Sequence, residues 1–336
     1  MTGTARINTA LIGLGRMGRT HAAALRDVAG LEVVAVVDPS PASRKAADEF
    51  FPGVATFENP SDAFAMVEAC IIVSPTPLHP DTVRDALHAG LHVLCEKPLA
   101  LDVAVARDLH RSASLANRVL QIGHWRRFSP PWLRAKQLVD DGAIGRPLWM
   151  RLSQWDSNPP PASFCDPTVS GGLAIDCGVH EYDLAEWFMG ESVTTVRAWN
   201  LPLVDPTLAQ VGDVDNLCAV LGFASGRVAQ VDLSRNARYG DDVRTELLGE
   251  RGAIFIDLLP TGRTRLADAR GTRDVDGSQT PDATLAGVRA QAEAFARRAS
   301  GEDVAVPTAE ASARSTLIGH AVMESARSGK EIDIAS

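Results

Sequence analysis

The arrangement of apolar positions changes about a third of the way along the chain. Up to residue 122, short unbroken apolar runs alternate with stretches of helical spacing. The runs are Ile7–Ile12, Leu31–Val37, Cys70–Val73, Leu91–Leu94 and Val119–Ile122, with a shorter one at Val54–Thr56. Apolar runs without polar alternation suit strands covered on both faces, as in a parallel sheet between helices. Helical spacing occupies Met17–Val28, Ala42–Phe50, Ser61–Val67, Asp81–Ala89 and Val103–Ala116, with Gly30 and Gly90 placed as C-terminal stops. Strand and helix in strict turn predict a doubly wound α/β domain.

Beyond Gly123 the runs lengthen and become amphipathic. After one helix, Pro131–Asp140, strands are predicted at Pro147–Trp155, Val193–Trp199, Asp215–Phe223, Arg227–Arg235, Val243–Gly249 and Ala253–Asp257. Turn signals such as Ser225-Gly226 and Glu250-Arg251-Gly252 between them predict a mainly antiparallel sheet. One helix, Ala174–Met189, interrupts the series. Thr261–Thr284 is polar and weakly periodic, so a loop with at most a short strand is expected there. Two closing helices, Leu285–Ala299 and Thr308–Ser328, are expected to return to the first domain. The reading is an α/β domain over residues 1–123 and an α+β domain with a large open sheet over 124–336.

Composition narrows the partners. The 336 residues carry a formal net charge of -9, which argues against nucleic acid, because phosphate binding needs a Lys/Arg excess on one face. No run approaches the roughly 18 apolar residues that cross a bilayer, so no membrane partner is expected. The N-terminal residues lack a basic segment followed by an apolar one, so no secretory leader is expected. Cys70, Cys95, Cys165, Cys177 and Cys218 are odd in number and scattered, which suits reduced thiols in the cytoplasm.

Gly13-Leu14-Gly15-Arg16-Met17-Gly18 follows the first strand and opens the first helix, the context a dinucleotide fingerprint requires. Gly13 permits the tight turn, Gly15 lets the backbone approach a pyrophosphate, and Gly18 lets helix and strand pack closely. Asp38 ends the second strand, where a carboxylate accepts hydrogen bonds from ribose hydroxyls and repels a 2′-phosphate. That favours NAD over NADP. Arg44 is the one nearby arginine that argues otherwise.

Ser74-Pro75-Thr76-Pro77-Leu78-His79 follows the fourth strand and Glu96-Lys97-Pro98 the fifth. Ligands in such sheets bind outside the carboxyl ends of the strands, so Ser74, Thr76, His79, Glu96 and Lys97 are cofactor-side candidates. An ammonium there can stabilise negative charge developing on a reacting oxygen; an ordinary Lys97–Glu96 surface pair is the plainer alternative. Asp176 and His180 are four apart and share a face if the helix is continuous. A carboxylate beside an imidazole orients a base suited to neutral pH, although a capping Asp and a satisfied buried His would look the same. No third ligand stands at metal-binding spacing, so no metal is expected.

Taken together, these motifs resemble the glucose–fructose oxidoreductase/inositol dehydrogenase (Gfo/Idh/MocA) family, and inositol 2-dehydrogenases most closely within it. The likeness covers essentially the whole chain. Gly123-His-Trp-Arg-Arg127-Phe resembles a segment of those enzymes, and Ser234–Glu246 with Tyr239 resembles their stretch bearing an active-site tyrosine. The resemblance implies a Rossmann domain followed by an open-sheet domain, and assembly as a homo-oligomer, a dimer or tetramer, through the sheet face. It also implies a catalytic trio of Lys97, Asp176 and His180, with Arg127 and Tyr239 against the substrate. The chain departs from those enzymes at Gln154-Trp155-Asp156, where they carry a more basic segment. Trp155 offers an aromatic face for a ring, or simple sheet packing, and Asp156 an acceptor for hydroxyls.

The function these readings support is NAD-dependent oxidation of a secondary hydroxyl of a cyclic polyol or sugar. A redox-neutral enzyme that cleaves or eliminates through transient oxidation, and a non-catalytic NAD- or sugar-binding regulator, are the rival classes. Accumulation of NADH separates the first from the others.

Overall fold

The computed structural model describes residues 6–258 and 262–334. The first five residues of the segment read for a leader, and Thr261 of the expected loop, lie outside them. The described chain forms two compact units, residues 1–128 with 284–313, and residues 129–283 with 314–336.

The first unit holds six parallel strands, β1 (Ile7–Ile12), β2 (Leu31–Val37), β3 (Ala55–Phe57), β4 (Ala69–Ile72), β5 (His92–Cys95) and β6 (Leu120–Ile122), in the order β3-β2-β1-β4-β5-β6. The direction of strand addition reverses between β1 and β4, the point at which such sheets bind ligands. Helices α1 (Arg16–Leu25), α2 (Pro41–Ala46), α3 (His79–His88) and α4 (Val103–Leu115) fill the crossovers. The four central strands, β2, β1, β4 and β5, contribute to two cores. Ala10, Ile12, Cys70, Ile72, Val93 and Cys95 pack on one face, and Leu11, Val36, Ile71 and Leu94 on the other. Burial on both faces is the reason these runs show no alternation. Where a helix is expected at Ser61–Val67, the chain forms two 3-10 turns, Pro60–Asp62 and Phe64–Met66. Ala63 is their one fully buried apolar residue, too little to hold an amphipathic helix against the sheet.

The second unit opens with α5 (Pro130–Asp140) and β7 (Pro147–Trp155). Four helices follow: α6 (Ala162–Cys165), α7 (Pro167–Ser170), α8 (Gly172–Asp176) and α9 (Gly178–Met189). Then come β8 (Val193–Asn200), β9 (Asn216–Phe223), β10 (Val228–Ser234), β11 (Asp242–Gly249), β12 (Ala253–Asp257), β13 (Arg263–Asp268) and β14 (Gly271–Asp274). Helices α10 (Ala283–Ala299) and α11 (Ala309–Ser328) precede β15 (Ile332–Asp333). The nine-stranded sheet runs β14-β13-β12-β11-β7-β10-β9-β8-β15, antiparallel except where β7 meets β10. Alternation is strict: Met150, Leu152 and Gln154 of β7 are buried on the side of α9, while Trp149 and Arg151 are exposed on the other.

Two expectations are corrected here. The polar stretch 262–283 contains a hairpin, β13 and β14, rather than a loop. Thr264 and Leu266 bury inward, while Arg265 lies over the Phe255 ring and pairs with Asp257. The outward face is arginine-rich, which hid the period of two. The helix expected at Ala174–Met189 is interrupted at Cys177 and divides into α8 and α9. Cys177 keeps right-handed torsions (φ -88°, ψ -47°), so the chain continues in the helical sense through the break.

Candidate active site

The carboxyl ends of β1, β2, β4 and β5 carry the candidates of the first unit. Gly13 has φ +96°, and a Cβ there would lie 2.7 Å from the Val73 carbonyl oxygen. A Cβ on Gly18 would collide with the Gly13 carbonyl oxygen, so both glycines are needed for the turn to close. Gly15 is the converse: a Cβ there meets nothing within 4 Å. Gly15 and Arg16 are exposed, Met17 is half-buried, and no side chain caps α1. The N–H groups of its first turn therefore remain for an anion, at the positive end of the helix.

Asp38 is 9% exposed, and both carboxylate oxygens accept backbone N–H bonds, from Leu14 at 2.8 Å and Ser40 at 2.9 Å. It thus ties the glycine turn to the end of β2 and keeps lone pairs for ribose hydroxyls. Arg44 turns back to donate from Nη1 to the Asp38 and Pro39 carbonyls at 2.7 and 2.9 Å, so the backbone engages that nitrogen of the guanidinium. Ser74 Oγ is buried and has no partner among the described residues, and Thr76 is half-buried beside it. An open glycine cradle, an uncapped helix start, a strand-end carboxylate and an unsatisfied hydroxyl fit a dinucleotide.

Two candidates have supporting tasks. His79 is 1% exposed, with Nδ1 2.9 Å from the Pro98 carbonyl and Nε2 2.7 Å from the Ser74 carbonyl. It joins the loop after β4 to the loop after β5 from beneath, where sequence position suggested a cofactor contact. Burial lowers its pKa, against the pull of those two carbonyls. Glu96 is likewise buried; it sits 2.7 Å from His21 Nε2 on α1 and accepts the Lys97 N–H at 3.1 Å. A Cβ on Gly123 would fall 2.9 Å from the Glu96 carboxylate, so the glycine after β6 makes room for it. His21 went unnoticed in the sequence, where a lone histidine among the alanines of α1 was the only signal. Lys97 itself is half-buried at the end of this chain of contacts.

Burial pushes the Glu96 carboxyl up, but His21 and Lys97 outweigh it and hold it below its ordinary 4.5. A carboxylate depressed on folding adds stability above its unfolded pKa, and that stability disappears as pH falls through the folded value. Glu96→Ala, which strands His21 in the interior, is expected to cost about 3 kcal/mol near neutral pH. In urea titrations the gap between wild type and variant should narrow as pH falls below 4.5. A gap that widens on acidification would contradict this account.

The second unit carries the other candidates. Gly171 (φ +84°) ends α7 and Gly172 (φ +66°) starts α8, which brings Asp176 to the last position of that five-residue helix. His180, 7% exposed, stands in the first turn of α9, its N–H 3.3 Å from the Cys177 carbonyl. The pair thus flanks the helix break. Asp176 Oδ2 lies 3.7 Å from Arg235, whose other guanidinium nitrogen bonds Asp213 at 3.1 Å. Arg235 is 2% exposed, and sequence alone would have placed it on the surface.

Strand parity separates the remaining candidates. Asp156 continues the buried side of β7: it accepts from Gln154 Nε2 at 3.1 Å and lies 3.3 Å from Cys177 Sγ, next to Asp176. Trp155 points to the opposite face, its indole N–H on Asp232 at 2.8 Å, so the structure does not bring it to Asp176. Tyr239 is 66% exposed, and its hydroxyl bonds Asp242, which pairs across from Trp155. Arg127 is half-buried in the 3-10 turn Trp125–Phe128 of the first unit. All five cysteines are free, and no group of three His, Cys, Asp or Glu among the described residues is arranged to hold a metal.

Comparison with known proteins agrees with both halves. Residues 7–124 match the model of an oxidoreductase family with an NAD-binding Rossmann fold, and residues 132–255 match the GFO/IDH/MocA C-terminal domain. The chain is 34% identical over 272 residues to scyllo-inositol 2-dehydrogenase (NAD(+)) of Bacillus subtilis (strain 168), covering 80% of this chain and 78% of that protein. It is 34% identical over 265 residues to myo-inositol 2-dehydrogenase of Thermotoga maritima, covering 78% and 79%. The crystal structure of scyllo-inositol dehydrogenase from Lactobacillus casei with bound NAD(H) and scyllo-inositol superposes with a TM-score of 0.86. It is 28% identical and covers 99% of this chain and all of that one.

Proposed function

The chain belongs to the GFO/IDH/MocA family of NAD-binding oxidoreductases, and from that premise we propose that it oxidises one secondary hydroxyl of an inositol-like cyclic polyol to the ketone. The observation that carries the substrate class is the likeness, along most of the chain, to enzymes named for inositol. The open cradle at Gly13, Gly15 and Gly18, with Asp38 and Ser74, is what would hold NAD. When bound, NAD supplies the acceptor for the hydride that leaves the carbinol carbon. His180 takes the hydroxyl proton, Asp176 supports the imidazole, and the Lys97 ammonium stabilises the oxygen as it becomes a carbonyl. Asp156, beside Asp176, accepts hydrogen bonds from neighbouring hydroxyls of the ring, and Arg127 contacts the substrate.

The assembly belongs to the same proposal. Trp149 and Leu248, paired across β7 and β11, and Trp199 on β8 are 38, 47 and 45% exposed on the sheet of the second unit, and large apolar side chains left open on a sheet face are of the kind that marks subunit contacts. A homo-oligomer formed through that face, working among reduced thiols in the cytoplasm, is the reading that fits it.

The test is NADH absorbance with myo-inositol, its epimers and a panel of monosaccharides, with NAD and NADP in parallel. NADH is expected with an inositol and NAD, at least tenfold faster than with NADP. A response to monosaccharides alone would move the substrate and keep the mechanism. Tight NAD binding without NADH from any compound would sink the dehydrogenase reading.

A further inference from the structure

We infer that Arg235, clamped by Asp213, is a positioning residue for the proton-accepting pair, holding Asp176 at the correct end of α8. The inference rests on the roles proposed above for Asp176 and His180. One Asp213 carboxylate oxygen accepts the Leu173 N–H at 2.9 Å, which anchors the first turn of α8. The other accepts from Arg235 at 3.1 Å. The same guanidinium reaches Asp176, the last residue of α8, at 3.7 Å. A five-residue helix is too short to hold itself in place. Here one buried carboxylate fixes its start and one buried guanidinium its end. Gly172 is part of the device, because a Cβ there would lie 2.7 Å from Asp213 Oδ1.

Burial makes the arrangement selective. Arg235 and Asp213 are 2 and 7% exposed, so neither tolerates the loss of its partner. A planar guanidinium can address two carboxylates at fixed angles, and an ammonium cannot. Arg235 touches neither cofactor nor reacting atom in this account; it acts through Asp176.

The test uses the full-length enzyme, NAD and myo-inositol, with variants Arg235→Lys, Arg235→Gln and Asp213→Asn. Arg235→Gln is expected to lower kcat about 100-fold and Arg235→Lys about tenfold, with NAD Kd within about twofold of wild type in both. The acid limb of the kcat/KM profile should move to higher pH in Arg235→Gln, because lost positive charge near Asp176 favours the protonated imidazole. Should Arg235→Gln fail to fold, Arg235→Lys and Asp213→Asn carry the test. If both fold with wild-type kcat and pH profile while Asp176→Asn is inactive, the positioning role is overturned and the proposed mechanism stands. If Asp176→Asn itself turns over normally, the reading of Asp176 falls and this inference with it. Lower melting temperature with unchanged kcat per folded site would assign Arg235 a structural role only.

Discussion

His180→Ala is expected to slow polyol oxidation roughly 100- to 10,000-fold, the range a positioned general base contributes. Lys97→Ala should lose roughly 100- to 1,000-fold, as does removal of one donor to a developing oxyanion. The two losses arise differently, and their pH dependence separates them. Without the imidazole, the proton must leave to water or hydroxide, so activity should recover steadily with rising pH. Without the ammonium, the base is intact, the pH profile keeps its shape and only its height falls. NAD affinity, read by quenching of protein fluorescence, should stay near wild type for His180→Ala, because His180 belongs to the second unit and the glycine cradle to the first. Near-normal turnover in either variant would mean that the roles are misassigned.

The glycine cradle allows a second large effect, on cofactor binding rather than turnover, with opposite signatures at Gly15 and Gly18. Gly15→Ala meets no atom within 4 Å, so the apo protein should melt within about 0.5 kcal/mol of wild type, as for a neutral surface change. The added methyl nonetheless stands where the pyrophosphate must approach the backbone, and NAD Kd is expected to rise at least about tenfold, or roughly 1.4 kcal/mol. Gly18→Ala drives its methyl into the Gly13 carbonyl and should destabilise the apo protein by about 1–3 kcal/mol as well as weaken NAD. Calorimetric melting of the apo forms beside NAD titration makes the comparison. Equal apo destabilisation in both variants would show that Gly15 is a folding residue rather than one reserved for the dinucleotide.

Much of the fold was legible because the two sheets have different hydrophobic periods. Bounds read for β1, β2, β7 and β12 coincide with the observed strands, since each run ends in turn chemistry or charge. Lys97 became a candidate for a different reason: it stands two residues past the end of β5, and strand ends are where this architecture binds. What stayed hidden depended on contacts across the fold. Arg235 looks like a surface residue until Asp213, more than twenty positions earlier, is seen bonded to it. His21 gains meaning only from Glu96, in the loop after β5. The break at Cys177 has no proline to announce it, so a single helix was the natural reading. Trp155 is the instructive case. An aromatic face for a ring and simple sheet packing read equally well in the sequence, and the burial of Met150, Leu152 and Gln154 is what places Trp155 on the far face.

That same parity along β7 shapes how the enzyme can change over evolutionary time. Even-numbered positions from Met150 to Gln154, and Asp156 beyond them, answer to the helices beside Asp176; odd-numbered ones from Trp149 to Trp155 answer to the exposed sheet surface. On the function and assembly proposed above, substrate preference and self-association would be written into one segment as interleaved messages, each editable without rewriting the other. Single substitutions can drift on either message alone. An insertion or deletion of one residue within the strand would exchange them wholesale, so lineages derived from this chain should vary β7 by replacement and keep its length.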